Sequence, residues 1–339
     1  MRKFTLYILL FSLPLWVMVA VYVLFDPFKV IRTYSNYKAH SGELSVPLNQ
    51  DHVSTATFLF YNPTEHYNAF ILGSSRSMFY EVSDWKTHIG NEASCFHFDA
   101  SSETIEGITH KVDFIDQQGC EIRHALLILD ESTFLPRQLL NDHLYLEDPR
   151  LCAYRNAIEF QSAHFLAFLN RKFLRAYLDY RFNGEARPYM TENMVLDNRP
   201  FVYDPISNEL RFEFFEHQMD SGKYYTPIRM QSFYDRSAIE NKSRKAIDAS
   251  DSLKLSAIAE VFKRHKTDFY IIISPLYDQR SFSDDDIRQL RSVFGEHRIF
   301  DFSGVNEFTS SYTNYYERSH YRPHVAKAIL DSIYHHSKQ

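Results

Sequence analysis

The stretch AFILGSSR, residues 69–76, decides how this chain is read. Residues 69–72 are a short apolar run that stops at Gly73, Ser74 and Ser75, the pattern of a buried strand ending in a polar turn. A helical stretch follows through Trp85. Working outward, CFHF at 95–98 reads as a second strand. Residues 103–118 place Ile105, Ile108, Val112 and Ile115 on one helical face, and Gly119 stands where a helix-terminating glycine belongs. ALLIL at 125–129 is a third strand with little alternation. Continuous apolar strands separated by helices predict an α/β domain whose parallel sheet is covered on both faces.

The same rhythm returns near the carboxyl end. Residues 253–265 form an amphipathic helix, and 269–273 a strand stopped by Ser274 and Pro275. Ser283 is placed to cap a helix whose first turn holds Asp284, Asp285 and Asp286, with Ile287, Leu290 and Phe294 facing inward and Gly295 ending it. Residues 299–302 are a last strand. Pro323 then opens a helix with Val325, Ile329 and Ile333 inward. Between about 140 and 250 the rhythm breaks. This stretch is rich in Phe, Tyr, Arg and Asn. A helix is expected over 158–180, and short strands and turns around NGEARPYM and NRPFVYDPISNELRFEFF. Because the α/β pattern resumes afterwards, it reads as a mixed insertion and not as an independent domain.

Residues 4–25, FTLYILLFSLPLWVMVAVYVLF, carry no charge. As a helix rising about 1.5 Å per residue they would reach roughly 33 Å, enough for a bilayer core. A cleaved signal peptide would have a shorter apolar run and a better small-residue site than Met18-Val19-Ala20. The expectation is therefore one transmembrane signal-anchor at 1–25, with a stalk and lead-in at 26–65 and an α/β domain at 66–339. Arg2 and Lys3 favour a cytoplasmic start, although Lys29, Arg32 and Lys38 follow closely on the other side. The soluble part is expected on the periplasmic or extracellular side of the cytoplasmic membrane.

Composition narrows the function. Of 339 residues, 45% are hydrophobic and 24% charged, which excludes wholesale disorder. A net charge of -6 argues against a nucleic-acid binder that works by phosphate neutralisation. Three cysteines are too few and too scattered for a disulfide framework or zinc ribbon, and a single bridge between Cys95 and Cys120 stays open.

Two segments carry the candidate chemistry: ILGSSRSMF at 71–79 and YYERSHYRPH at 315–324. The first sets a serine hydroxyl at the carboxyl edge of the sheet, entering a helix whose first amides could face an oxyanion. The second sets Glu317 three residues before His320. A carboxylate at that spacing can hold one imidazole nitrogen while the other faces a serine. Arg76 is either a grip for an acidic sugar or the partner of a nearby acid. A metal on Glu317, His320 and His324 is disfavoured, because Arg322 before Pro323 interrupts a continuous helix. The aromatic insertion is either core or a sugar-stacking platform.

Taken together, these blocks resemble the SGNH/GDSL hydrolase superfamily, most closely its membrane-anchored branch linked to bacterial exopolysaccharide, such as alginate O-acetylation proteins. Asp26-Pro27-Phe28 after the anchor is similar to that branch. The resemblance covers roughly 65–135 and 250–335. It implies a flavodoxin-like three-layer fold, with Ser75 as nucleophile, His320 as base and Glu317, in place of the usual Asp, as orienter. Ser74 stands where the superfamily has Asp. Ala100 or Ser101 replaces the glycine that donates an oxyanion-hole amide, and Asp130 occupies the place of an Asn. The implied activity is an O-acetyltransferase or esterase on a cell-surface or exported polysaccharide, with no cofactor and no metal. Its partners are the glycan, the membrane and a membrane acyl donor, with no nucleic acid. The absent Gly and Asn carry a second expectation: a non-catalytic glycan-binding or assembly protein on the same scaffold.

Overall fold

Phe70 and Leu72 leave strand β1 (Ala69–Gly73) on one side, and Ala69 and Ile71 on the other; all four are buried. That two-sided burial is what a continuous apolar strand requires. In the computed structural model, which describes residues 2–38, 42–135, 142–152, 156–236 and 241–336 (without the side chains of residues 2, 3, 5, 6, 8, 9 and 336), β1 lies inside a five-stranded parallel sheet. The others are β2 (Cys95–Asp99), β3 (His124–Leu129), β4 (Asp268–Ile273) and β5 (Ile299–Asp301), in the order β2-β1-β3-β4-β5. Every pairing is parallel, with Gly73 opposite Asp99 on one side and Ile128 on the other. The strand order reverses between β1 and β3, and in open parallel sheets the crevice beyond the carboxyl ends at such a point is where ligands bind.

Helices cover both faces. One face packs on α2 (Gln50–Glu65), α4 (Ile105–Gln117), α7 (Ala249–His265) and α8 (Asp284–Phe294). The other packs on α3 (Val82–Ile89) and α9 (Pro323–His336), where Trp85, Val325, Ile329 and Ile333 are buried. The strands expected at 69–72, 95–98, 125–129, 269–273 and 299–302 are all present, and Gly119 takes positive φ one residue after the end cap of α4. Ser283 stands at the start of α8 without a side-chain capping bond, and Asp286 in the first turn accepts from the backbone of Ala246 (2.8 Å) and Ile247 (3.1 Å), tying α8 to the segment before α7.

Four local readings are corrected. The helix expected directly after Ser75 is a 3₁₀ turn, Ser77–Phe79, and α3 begins only at Val82. The helix expected over 158–180 is two, α5 (Ala157–Phe168) and α6 (Arg171–Asn183), because Asn170 caps the second by accepting from Lys172 N (3.0 Å) and Phe173 N (3.3 Å). NGEARPYM holds a left-handed Gly184 and a short helix, Pro188–Thr191, in place of strands. The lead-in at 26–65 contains α2, which packs on β2. Its periodicity is weak because Asp51, Ser54, Thr55 and Thr57 are buried with Val53 and Phe58. Ser54 Oγ, for example, donates to Asp99 O at 2.8 Å. The hairpin Val202–Asp204 with Glu209–Arg211 is antiparallel, in agreement with the expected turn-rich strands.

Helix α1 (Arg2–Phe25) ends in a tight loop. The buried Asp26 carboxylate accepts from Val30 N (2.9 Å), Arg32 N (3.0 Å) and the Tyr34 hydroxyl (3.0 Å). Arg32 donates back to the last carbonyls of α1, Val23 O (2.6 Å) and Leu24 O (2.7 Å). Tyr22 and Phe28 pack with Phe160, Phe168 and Phe173 of the insertion. Among the described residues no helix is long and apolar enough to cross a membrane. The described side chains of α1 run unbroken only from Leu10. Cys95, Cys120 and Cys152 are free, buried thiols, so no bridge joins Cys95 to Cys120.

Candidate active site

The site lies at the carboxyl edge of β1, beside the reversal of strand order. Gly73 permits the approach: a Cβ there would sit 2.7 Å from Ile128 O on β3. The chain then turns, and Ser74 O accepts from Ser77 N (2.9 Å) and Ser77 Oγ (2.7 Å). Ser74 is buried in that turn and is not part of the cleft wall. Ser75 is left at the tip.

Glu317 and His320 face each other across a two-stranded antiparallel hairpin, Tyr315–Glu317 with His320–Tyr321. Their spacing of three is thus a two-residue turn between directly opposed residues, whose side chains share a face. His320 Nδ1 is hydrogen-bonded to Glu317 Oε1, whose other oxygen accepts from Ser319 N at 2.8 Å. On the far side of the ring, Nε2 lies 2.8 Å from Ser75 Oγ. Residues 245 positions apart are therefore in contact, in the order hydroxyl, imidazole, carboxylate. Burial alone would raise the Glu317 carboxyl, but the bond and charge of His320 and the Ser319 amide outweigh it and hold it below its usual range. The His320 and Glu317 side chains are 32% and 34% exposed, so the row is open to solvent. The Phe79 ring stands edge-on to the imidazole at 5.7 Å.

Arg76 meets an acid. Its guanidinium donates to Asp130 Oδ2 at 2.5 Å and Ser132 Oγ at 3.3 Å, and its Nε donates to Ser319 O at 3.1 Å. One side chain thus ties together the turn after β1, the turn after β3 and the hairpin that carries Glu317 and His320. This decides the role of Asp130. It also accepts from Ser132 N (2.8 Å), and an ionised carboxylate holding an arginine donates nothing to an oxyanion. The expected donation from Ala100 is corrected too, since its N–H is directed at Gly73 O (3.3 Å). Ser101, one residue on, lines the cleft with Ser75. Among the described residues neither the Ser75 nor the Ser101 N–H has an acceptor. Both sit two residues beyond the last paired positions of adjacent strands.

The cleft has a volume of about 520 Å³. The insertion walls it with Phe212, Phe215, Tyr224 and Arg229, which the sequence reading did not single out beyond noting the aromatic richness. Those walls are fixed to the hairpin: Tyr224 OH donates to Tyr316 O (3.2 Å), and Arg322 pairs with Glu216 (2.6 Å). Lys38, from the segment before α2, donates to Gln50 Oε1 at 2.9 Å, and Gln50 in turn donates to Asp99 at 3.2 Å. Burial pulls this ammonium down to about 8 against the opposing carboxylates of Asp99 and Asp197. A smaller cavity of about 260 Å³ shares Lys38, Leu48, Asp197 and Arg199 and extends to Pro27 and Lys29, just past α1.

Among the described residues no group of His, Cys, Asp or Glu could hold a metal ion. His324 Nε2 turns to Asn314 Oδ1 at 3.1 Å, away from Glu317 and His320. Chemically, the row is a hydroxyl beside a base whose tautomer is held by an acid, the arrangement of an activated nucleophile. Comparison with known proteins brings no match, either to a family model or to a curated protein.

Proposed function

We propose that this chain is a serine-dependent acyl-ester enzyme of the SGNH type on a flavodoxin-like three-layer scaffold, an O-acetyltransferase or esterase acting on a cell-surface or exported polysaccharide. The observation that carries this reading is the unbroken contact from Ser75 Oγ to His320 Nε2 to Glu317 beside an open cleft. The strand order, which is the flavodoxin-like one, supports the scaffold. In the mechanism His320 Nε2 takes the Ser75 proton as Oγ attacks the acyl carbon. Glu317 stabilises the imidazolium, and the amides of Ser75 and Ser101 face the developing oxyanion. The imidazolium returns its proton to the leaving alkoxide. Water or a sugar hydroxyl, deprotonated by the same nitrogen, then releases the acyl group from Ser75.

A membrane anchor at α1 belongs to the same proposal. Its support is the uncharged run at 4–25, together with the exposure of Phe11, Trp16 and Leu24, which no described residue covers. The cavity reaching Pro27 and Lys29 suits a site that works close to the bilayer on its outer side, within reach of a membrane acyl donor.

Labelling of the full chain in detergent with a fluorophosphonate tests the chemistry. One adduct on Ser75, absent in Ser75→Ala, is the expected result. Folded protein that takes no label and turns over no aryl acetate overturns it. A second reading, a glycan-binding or assembly protein, is favoured in that case by one observation: Asp130 holds Arg76 where an oxyanion donor would stand. Arg76 supplies a further prediction. Since it positions the hairpin, Arg76→Ala is expected to slow labelling of Ser75 by about 10²-fold, as small misplacements of catalytic groups do. Arg76→Lys should restore only part, because a lysine cannot span Asp130 and Ser319 together. Labelling at the wild-type rate in Arg76→Ala would remove that role.

A further inference from the structure

The charged residues lining the cleft are Lys38, Asp99, Asp197, Arg199, Arg229 and Glu317. Five of them are answered within the protein. Lys38 donates to Gln50, and Asp99 accepts from Gln50 and Ser54. Asp197 and Arg199 pair with each other at 2.7 Å. Glu317 holds His320 and the Ser319 amide.

Arg229 is different. Its guanidinium lies 4.0 Å from the Tyr224 ring centroid and 4.8 Å from that of Phe215, and no carboxylate pairs with it among the described residues. The two rings hold the guanidinium in the cleft wall, and none of its N–H donors is spent on a carboxylate among the described residues. Its backbone is held as well, since Arg229 N donates to Thr226 Oγ1 at 3.4 Å. The platform under it is tied to the catalytic hairpin: Tyr224 OH bonds Tyr316 O, one residue before Glu317. A half-buried cation held against two rings, with no paired carboxylate among the described residues, thus shares a cleft with Ser75 and His320.

We propose that Arg229 is a specificity-determining residue that binds a negatively charged oxygen group, a carboxylate or a phosphate, on the molecule that carries or receives the acyl group. This rests on the reading that the cleft accommodates an ester substrate, and it adds that the substrate is anionic. A planar guanidinium edge accepts two oxygens of one such group together, which a neutral sugar hydroxyl does not offer. The aromatic wall beside it suits the apolar face of the attached ring.

The test is a binding measurement that does not need turnover. Full-length Ser75→Ala in detergent is titrated calorimetrically with three O-acetylated probes of the same sugar: a neutral methyl glycoside, its uronate and its 6-phosphate. The expected result is at least one anionic probe bound about tenfold or more tighter than the neutral one. The added Arg229→Gln change should bring that ratio close to one, and Arg229→Lys should keep part of it. Whether the uronate or the phosphate binds better identifies the group. A preference that survives Arg229→Gln, or equal binding of all three probes to the Ser75→Ala parent, overturns the proposal. A purely structural role would weaken every probe alike and leave the ratio unchanged. Failure of the ester-enzyme reading is seen separately, as absent fluorophosphonate labelling.

Discussion

Ser75→Ala is expected to lower turnover of an aryl acetate by about 10⁶-fold, and His320→Ala by about as much, because the hydroxyl and the base act as one unit. The double variant should be no slower than either single one. Glu317→Gln should cost less, about 10⁴-fold, since the amide keeps the volume but no longer selects the tautomer that leaves Nε2 free for Ser75. The geometry sets this ranking. Oγ reaches Nε2 directly at 2.8 Å, whereas Glu317 acts only through Nδ1 and is braced by Ser319 N at 2.8 Å. Glu317 should not set the acid limb of the rate profile, because it is held below the usual carboxylate range and stays ionised as the pH falls toward that range. Steady-state kinetics on purified full-length protein decides the matter. Losses that simply multiply in the double variant would mean that the two groups do not work together.

Lys111→Met is expected to be the most damaging change to stability away from the cleft. Lys111 lies on α4, is fully buried, and forms ion pairs with Glu103 and, at 3.2 Å, with Asp51 on α2. Its ammonium also sits 5.2 Å from the Phe98 ring. Burial works against its charge, but the two carboxylates outweigh it and raise its pKa. Removing the ammonium leaves two buried acids facing each other, a cost of about 3–5 kcal/mol. For a domain of this size the thermal midpoint should fall by roughly 10 °C. Adding Asp51→Asn and Glu103→Gln removes the stranded charges and should recover part of the loss. A single variant that melts within about 2 °C of wild type would show that the charges are met by solvent, contrary to their burial. The cluster also bears on the site, because Glu103 follows Ser101 by two residues and fixes the loop after β2.

Lys111 illustrates what the amino-acid pattern leaves hidden. It falls on the same helical face as Ile108 and Ile115, where periodicity alone expects an apolar residue. Its partner Asp51 is 60 positions upstream, on a helix whose inner face is itself half polar. Helix α2 went unread for the same reason: buried Ser54 and Thr55 are satisfied by hydrogen bonds that hydropathy does not register. By contrast, all five central strands were legible, most plainly β1 and β3, because strands buried on both faces are continuously apolar.

The candidate site divides in the same way. Sequence by itself determined the parallel α/β core, the serine at a strand end and the acid three residues before an imidazole, since each follows from local periodicity or spacing. Only the tertiary structure decided that these two segments touch, that Asp130 is occupied by Arg76, and that Ala100 turns its amide to Gly73. It alone decided that Arg229 stands in the same cleft. The physical reason is that a hydrogen bond or a stacked cation is a relation between chain segments far apart in number, and such relations exist only once the packing of the whole sheet has brought them within about 3–5 Å.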